Sequence, residues 1–248
     1  MELNWNRLNW QEFEKMQKSG YCNAILPVGT VEAHGVTPLG TDNIIPETIA
    51  SRLAPDLKAI IAPAVSYGIT RSLLKYPGSL TVASGTFQKY LTEILMSIAM
   101  TGMKKIVIIN GHGGQLDELK AAALEVFYKT EAKVAVINWW LVCHDLVEKY
   151  YDTTGGHAGV DETAAVLACA PETVHKNLYD PKMHYYVQPG ANVYPNPSTI
   201  LIYKEDAGDL DFDPDKANSY FDEVCAIIKS FLLDVFKRWD NGGGHKLK

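Results

Sequence analysis

The chain has 248 residues, 47% of them hydrophobic, and a formal net charge of −6 from 23 basic and 29 acidic side chains. That length fits one large globular domain, a charged fraction of 21% with 10% aromatics excludes a disordered chain, and the acidic balance argues against a nucleic-acid partner. No apolar run reaches the roughly 18 residues of a spanning helix, and the polar start at Glu2, Asn4, Asn6 and Arg7 is not expected to be a signal peptide.

In chain order, Asn9 with Glu12 three residues on reads as a capping box opening a helix that Gly20 stops. Short β-like runs follow at 23–28, 59–65, 106–110 and 134–138. Helical spacing fills 44–53, with Pro46 near its first turn, then 86–100, 115–129, 160–170 and an amphipathic 214–238. Strand–helix alternation predicts an α/β fold with a mostly parallel sheet covered by helices on both faces. The unbroken run Ile106-Val107-Ile108-Ile109 reads as a central strand buried on both sides. Residues 177–210, rich in Pro, Tyr, Asn and Asp and without a period, read as a functional excursion or interface loop. The domain is expected over 1–240, with 241–248 a flexible tail. Four cysteines, Cys22, Cys143, Cys169 and Cys225, show no Cys-x-x-Cys pair. They fit reduced thiols in a cytoplasmic protein.

Chemistry gathers where strands end. Val28 to Gly35 holds Glu32 and His34, with Asp42 close behind; Asn110-Gly111-His112-Gly113-Gly114 follows the central strand; His157 and Glu162 follow the strand at 134–138; Tyr67 to Ser79 follows the strand at 59–65. Sites in open parallel sheets form at the carboxyl ends of strands, so these clusters should converge. Glu32, His34, Asp42 and His112 offer carboxylate and imidazole, a set suited to zinc, manganese or iron. Asp42 is the candidate bridge between two ions, a hydrolytic arrangement. The glycines flanking His112 let backbone pass close to a ligand, and their N–H groups suit an oxyanion. Of His157 and Glu162, one reads as a ligand and the other as a proton shuttle. Each feature alone has a plainer explanation: single histidines are mostly structural, Asp42 could cap a helix, and glycine turns after strands are common. Their joint occurrence tips the balance. The other histidines, His144, His175, His184 and His245, are left outside the site.

The order Leu-Pro-Val-Gly-Thr-Val-Glu-Ala-His-Gly (26–35), Pro-Leu-Gly-Thr-Asp (38–42), Tyr-Pro-Gly-Ser-Leu (76–80), Asn-Gly-His-Gly-Gly (110–114) and His-Ala-Gly-Val-Asp-Glu-Thr (157–163) resembles the creatininase (creatinine amidohydrolase) family. Ala207-Gly208-Asp209 is similar to its late Gly-Asp turn. The resemblance implies a three-layer α/β/α fold, two divalent metal ions with zinc foremost, and hydrolysis of a small, possibly cyclic, amide. It implies Glu32 and His112 on one metal, His34 on the other, Asp42 bridging, and His157 as the catalytic histidine. It also implies Thr70 lining the pocket and a homo-oligomer, commonly a hexamer. Gly113 and Trp140 are expected beside the substrate, with Trp139 an alternative for stacking or else packed in the core.

Departures mark this chain. Creatininase proper has a glutamate where Gly114 stands, so Glu162 is inferred to supply the carboxylate in this Gly-His-Gly-Gly branch. A Trp-Asp pair is replaced by Thr153 and Thr154, which argues against creatinine itself, and Leu73-Leu74 alters the pocket rim. Rival expectations are a formamide deformylase on a purine-derived intermediate, a peptidase trimming a modified peptide, and a non-catalytic metal-stabilised oligomer. A phosphate-bearing substrate would call on Arg71 or Lys75. No Gly-x-Ser-x-Gly elbow is present.

Overall fold

The computed structural model describes residues 1–205 and 209–242. Helix α1 (Trp10–Lys18) opens on the expected capping box: Asn9 Oδ1 accepts from the Glu12 backbone and Glu12 Oε2 from that of Asn9. Then come β1 (Asn23–Val28), α2 (Thr41–Leu53), β2 (Ala59–Ile61), α3 (Ser84–Met100), β3 (Lys105–Asn110), α4 (Leu116–Lys129) and β4 (Lys133–Asn138). The four strands form one parallel sheet in the order β2-β1-β3-β4. β1, β3 and β4 are in step from Asn23, Lys105 and Lys133 to Val28, Asn110 and Asn138, so their carboxyl ends finish level.

Alternate residues of each strand face opposite sides. Ile25, Val107, Ile109 and Ile137 pack under α2 and two later helices, α7 (Val160–Cys169) and α8 (Pro214–Asn241). Leu26, Ile106 and Ile108 pack under α3 and α4 through Phe87, Leu91, Leu95 and Leu119. Both faces are covered, which is why the central strand reads as continuous apolar sequence. The chain leaves β1 for one face and β3 for the other, and a crevice opens between the carboxyl ends of these neighbours.

Three differences from the sequence expectation have local causes. The strand expected over 59–65 stops at Ile61, because Pro63 has no N–H to continue the ladder; Val65 makes only an isolated bridge to Val28. Helix α2 begins at Thr41 rather than at residue 44, with Gly40 as a cap lacking any side-chain bond, so Asp42 lies within the first turn and is not its cap. The aperiodic segment holds strands. After α5 (Trp139–Val142) and α6 (His144–Tyr151), β5 (Gly156–His157) pairs antiparallel with β7 (Ile200–Ile202), which pairs in parallel with β6 (His184–Tyr186). Ala207 and Gly208 of the late turn, and 243–248 of the expected tail, lie outside the described residues; 241–242 close α8. Among the described residues no helix is long and apolar enough to cross a membrane.

Candidate metal centre

The loop after β1 is pinned before it reaches the site. Glu32 N donates to Leu39 O, and Asn43 Nδ2 donates to Thr30 O at 2.8 Å. The loop after β3 is pinned by fully buried Asn110. Its amide donates to His112 O at 2.8 Å and its oxygen accepts from His112 N at 3.1 Å. These bonds place Glu32, His34, Asp42 and His112, all buried, at the crevice, and the start of α7 adds Glu162.

Asp42 is the hinge of the geometry. Its Oδ1 lies 2.9 Å from His34 Nε2 and its Oδ2 lies 2.9 Å from His112 Nδ1. Glu32 Oε1 is 3.4 Å from His112 Nδ1, and Glu162 Oε2 is 3.6 Å from His34 Nε2. Two trios result, Glu32–Asp42–His112 and His34–Asp42–Glu162, each with ligand atoms within 4.8 Å of one another. A third, Glu32–His34–His157, shares members with the first two.

Each imidazole has its outer nitrogen tied to a backbone carbonyl: His34 Nδ1 to Glu32 O at 2.9 Å, His112 Nε2 to Ile69 O at 2.9 Å, His157 Nε2 to Ala33 O at 2.8 Å. With a metal bound, the outer nitrogen would carry the proton and the inner one present its lone pair, the orientation found in metal-ligating histidines. Despite these short contacts, His34 Nε2 and Asp42 Oδ2 are buried without a hydrogen bond of good geometry. Poorly paired buried polar atoms are costly, and a cation between the trios would satisfy both. The donor set, carboxylate plus imidazole, fits zinc or manganese.

The electrostatics agree. Burial opposes a charge on His34, yet Asp42, then Glu162 and Glu32, carry it up to about 10. His112 rises to about 9 against burial, through Glu32 and Asp42. Asp42 falls below the usual carboxylate range, with His34 and His112 outweighing its burial. Burial lifts Glu162 to about 8, and burial with the charge of His34 pushes His157 down to about 3. Positive charge is thus favoured beside Asp42.

A cavity of about 530 Å³ opens over these residues, with Glu32, Asp42, His112, His157 and Glu162 on its wall. Gly113 and Trp140 also line it, and a Cβ on Gly113 would sit 3.9 Å from the Trp140 ring. Thr70, expected beside the substrate, is buried and absent from the cavity wall, with its hydroxyl 3.4 Å from that of Thr30. Trp139 is fully buried in the core and is no stacking platform. His144, left outside the site by its sequence, lines the mouth, whereas Lys75 does not. Tyr194 and Tyr203, which sequence reasoning missed, also line it.

The family model described as creatinine amidohydrolase matches residues 6–207. The chain belongs to the creatininase family. It is 32% identical to the mycofactocin precursor peptide peptidase of Mycolicibacterium smegmatis over 223 residues, covering 87% of this chain and 84% of that protein. To the creatinine amidohydrolase of Pseudomonas putida it is 27% identical, over 67% of this chain and 72% of that one. Solved creatininase structures match over 95% of this chain and 99% of theirs, a manganese form with TM-score 0.78 and a zinc–zinc form with 0.75, each at 23% identity. At that identity the likeness shows the fold, which is the expected α/β/α sandwich. The protein is an amidohydrolase of the creatininase family.

Proposed function

We propose that this creatininase-family protein is a dinuclear, metal-dependent amidohydrolase acting on a non-peptide C–N bond of a small amide. The observation that carries the reading is Asp42, whose two oxygens each lie 2.9 Å from a different inward-facing imidazole nitrogen. Glu32, His112 and Asp42 would hold one ion, and His34, Glu162 and Asp42 the other, with zinc foremost and manganese or iron as alternatives. Bound there, a pair of divalent ions supplies Lewis acidity, making a water acidic near neutral pH and polarising the scissile carbonyl. Glu162 stands in for the carboxylate that creatininase proper carries at the position of Gly114. A side chain at 114 is obstructed, since a Cβ would meet His112 Nε2 and Ile69 O, both at 2.4 Å.

The chain's own groups do the remaining work. His157, held neutral by burial beside His34, takes a proton at Nδ1 and passes it to the leaving nitrogen, a contribution of about 10²–10⁴-fold for such catalysis. The Gly113 N–H is the candidate oxyanion donor, and Trp140 is the wall against which a flat amide packs. A cytoplasmic homo-oligomer, a hexamer by resemblance, belongs to the same proposal.

The 32% identity to a peptide peptidase favours a second reading, trimming of a modified peptide. The test is metal analysis with a hydrolysis panel of cyclic amides, formamides and short peptides. The wild type should hold two ions per chain and turn over a small amide. Asp42→Ala should lose metal toward zero together with activity. Full activity with both ions retained refutes the bridge; stoichiometric metal without turnover of any panel member favours a non-catalytic role; turnover of peptides alone favours the peptidase.

A further inference from the structure

The cavity wall carries the carboxylates Glu32, Asp42, Asp161 and Glu162 and the imidazoles His112, His144 and His157, but among the described residues its one guanidinium or ammonium is Arg71. Arg71 Nε donates to Gly114 O at 3.1 Å, and Nη2 reaches Glu118 Oε1 at 3.4 Å. A guanidinium is a planar fork of five N–H donors. The bond to Gly114 O orients the group, and the N–H groups of Nη1 have no acceptor among the described residues. Because Gly114 lies two residues past His112, the fork is held in register with the loop that carries His112.

A plainer role would be to neutralise Glu118. That carboxylate is buried and accepts from Ser84 Oγ at 2.6 Å. Its contact with Arg71 is long and through a single nitrogen, and the Arg71 side chain is 53% exposed. Arginine–carboxylate pairs are frequently bidentate, and this one is not. Arg71 instead lines the cavity with the N–H groups of Nη1 unpaired among the described residues, where Leu73, Trp140 and Leu141 supply apolar surface.

We propose that Arg71 is the anion anchor of this cavity, so that the substrate is an amide bearing a carboxylate or phosphate. The anionic group docks on the free edge of the guanidinium while the amide lies over His112 and Asp42. This rests on the hydrolase reading above and names its substrate class.

The experiment uses zinc-reconstituted protein and matched pairs that differ in charge. N-formylglycine is set against its amide, hydantoin-5-acetate against its amide, and N-formyl-O-phosphoethanolamine against N-formylethanolamine. Calorimetric binding and kcat/KM are measured for the wild type, Arg71→Ala, Arg71→Lys and the double variant Arg71→Ala/Glu118→Gln. The wild type should favour an anionic member by about 10- to 100-fold, the scale of a charge-assisted bond. The preference should reside in KM, fall to near one in Arg71→Ala and survive in part in Arg71→Lys. It should stay lost in the double variant, which also removes the Glu118 carboxylate. The carboxylate and phosphate arms identify the group. No preference in the wild type, no binding of any anionic member, an unchanged preference in Arg71→Ala, or its return in the double variant overturns the anchor. Arg71-dependent anion binding without zinc uptake or hydrolysis keeps the anchor and overturns the hydrolase reading. Zinc uptake and hydrolysis with no charge preference does the reverse.

Discussion

At His112 one missing Cβ decides which way a ring faces. The ring turns Nε2 to Ile69 O, and Gly114 leaves the room for it. Gly114→Ala should cost about 1–3 kcal/mol as an overpacked site and weaken metal uptake, which urea melts and metal analysis measure. The two raised histidines set the pH response. With His34 near 10 and His112 near 9 against an ordinary 6.5, both are protonated at pH 7 when metal is absent. Metal uptake must expel those protons, so affinity should climb from pH 6.5 towards 9. Calorimetry in buffers of different ionisation enthalpy counts the protons. Stability of the metal-free fold runs the opposite way. Groups whose folded pKa is raised contribute fully below the unfolded value and lose that contribution as pH rises through the folded one. His34 and His112 do so above 6.5, and Glu162, near 8 when folded, already does so above 4.5. Chelator-treated protein should therefore melt at falling temperature from pH 6.5 to 10. The six residues that meet at the crevice were legible because each follows a strand in a glycine-bounded run. Thr70 was legible as near the site but not in its burial, since its partner Thr30 comes from a different strand end.

At the scale of elements, the approach of α2 to the sheet aims Asp42. Pro46 has no N–H, so the Asp42 carbonyl lacks its usual helical donor. That carbonyl rests against the backbone of Gly29 and Gly111, where a Cβ would lie 2.2 and 2.0 Å from its oxygen. The helix start thus sits directly on the ends of β1 and β3. Gly111→Ala should push α2 away, destabilising by about 1–3 kcal/mol and separating Asp42 from the imidazoles. A urea melt together with a weakened zinc affinity checks both effects. The strands and helices of the main sheet were legible because their periods differ and their lengths exceed a turn. The small second sheet was not. Its strands are two and three residues long, and His157 in β5 is held by pairing with Leu201, forty-odd residues away in sequence. Tyr194 and Tyr203 escaped notice for the same reason, since no periodicity marks the excursion that brings them to the cavity.

For the whole molecule, the formal charge of −6 takes every histidine as neutral. In the metal-free fold at pH 7, His34 and His112 are charged and Glu162, near 8, is largely protonated. Two divalent ions would add four charges and displace those three protons, so loading should make the protein less negative by about one charge rather than four. Native capillary electrophoresis of metal-free and loaded protein at pH 7 measures the difference. The layered fold also divides the two trios unequally along the chain. Glu32, Asp42 and His112 are all in hand by the start of α4, with β1, α2 and β3 already made, whereas Glu162 arrives only with α7. On the ribosome, where amino-terminal segments emerge first, one ion-binding trio is complete some fifty residues of synthesis before the other. The centre would therefore mature in sequence, the first trio waiting on its neighbour until α7 and α8 close over the sheet.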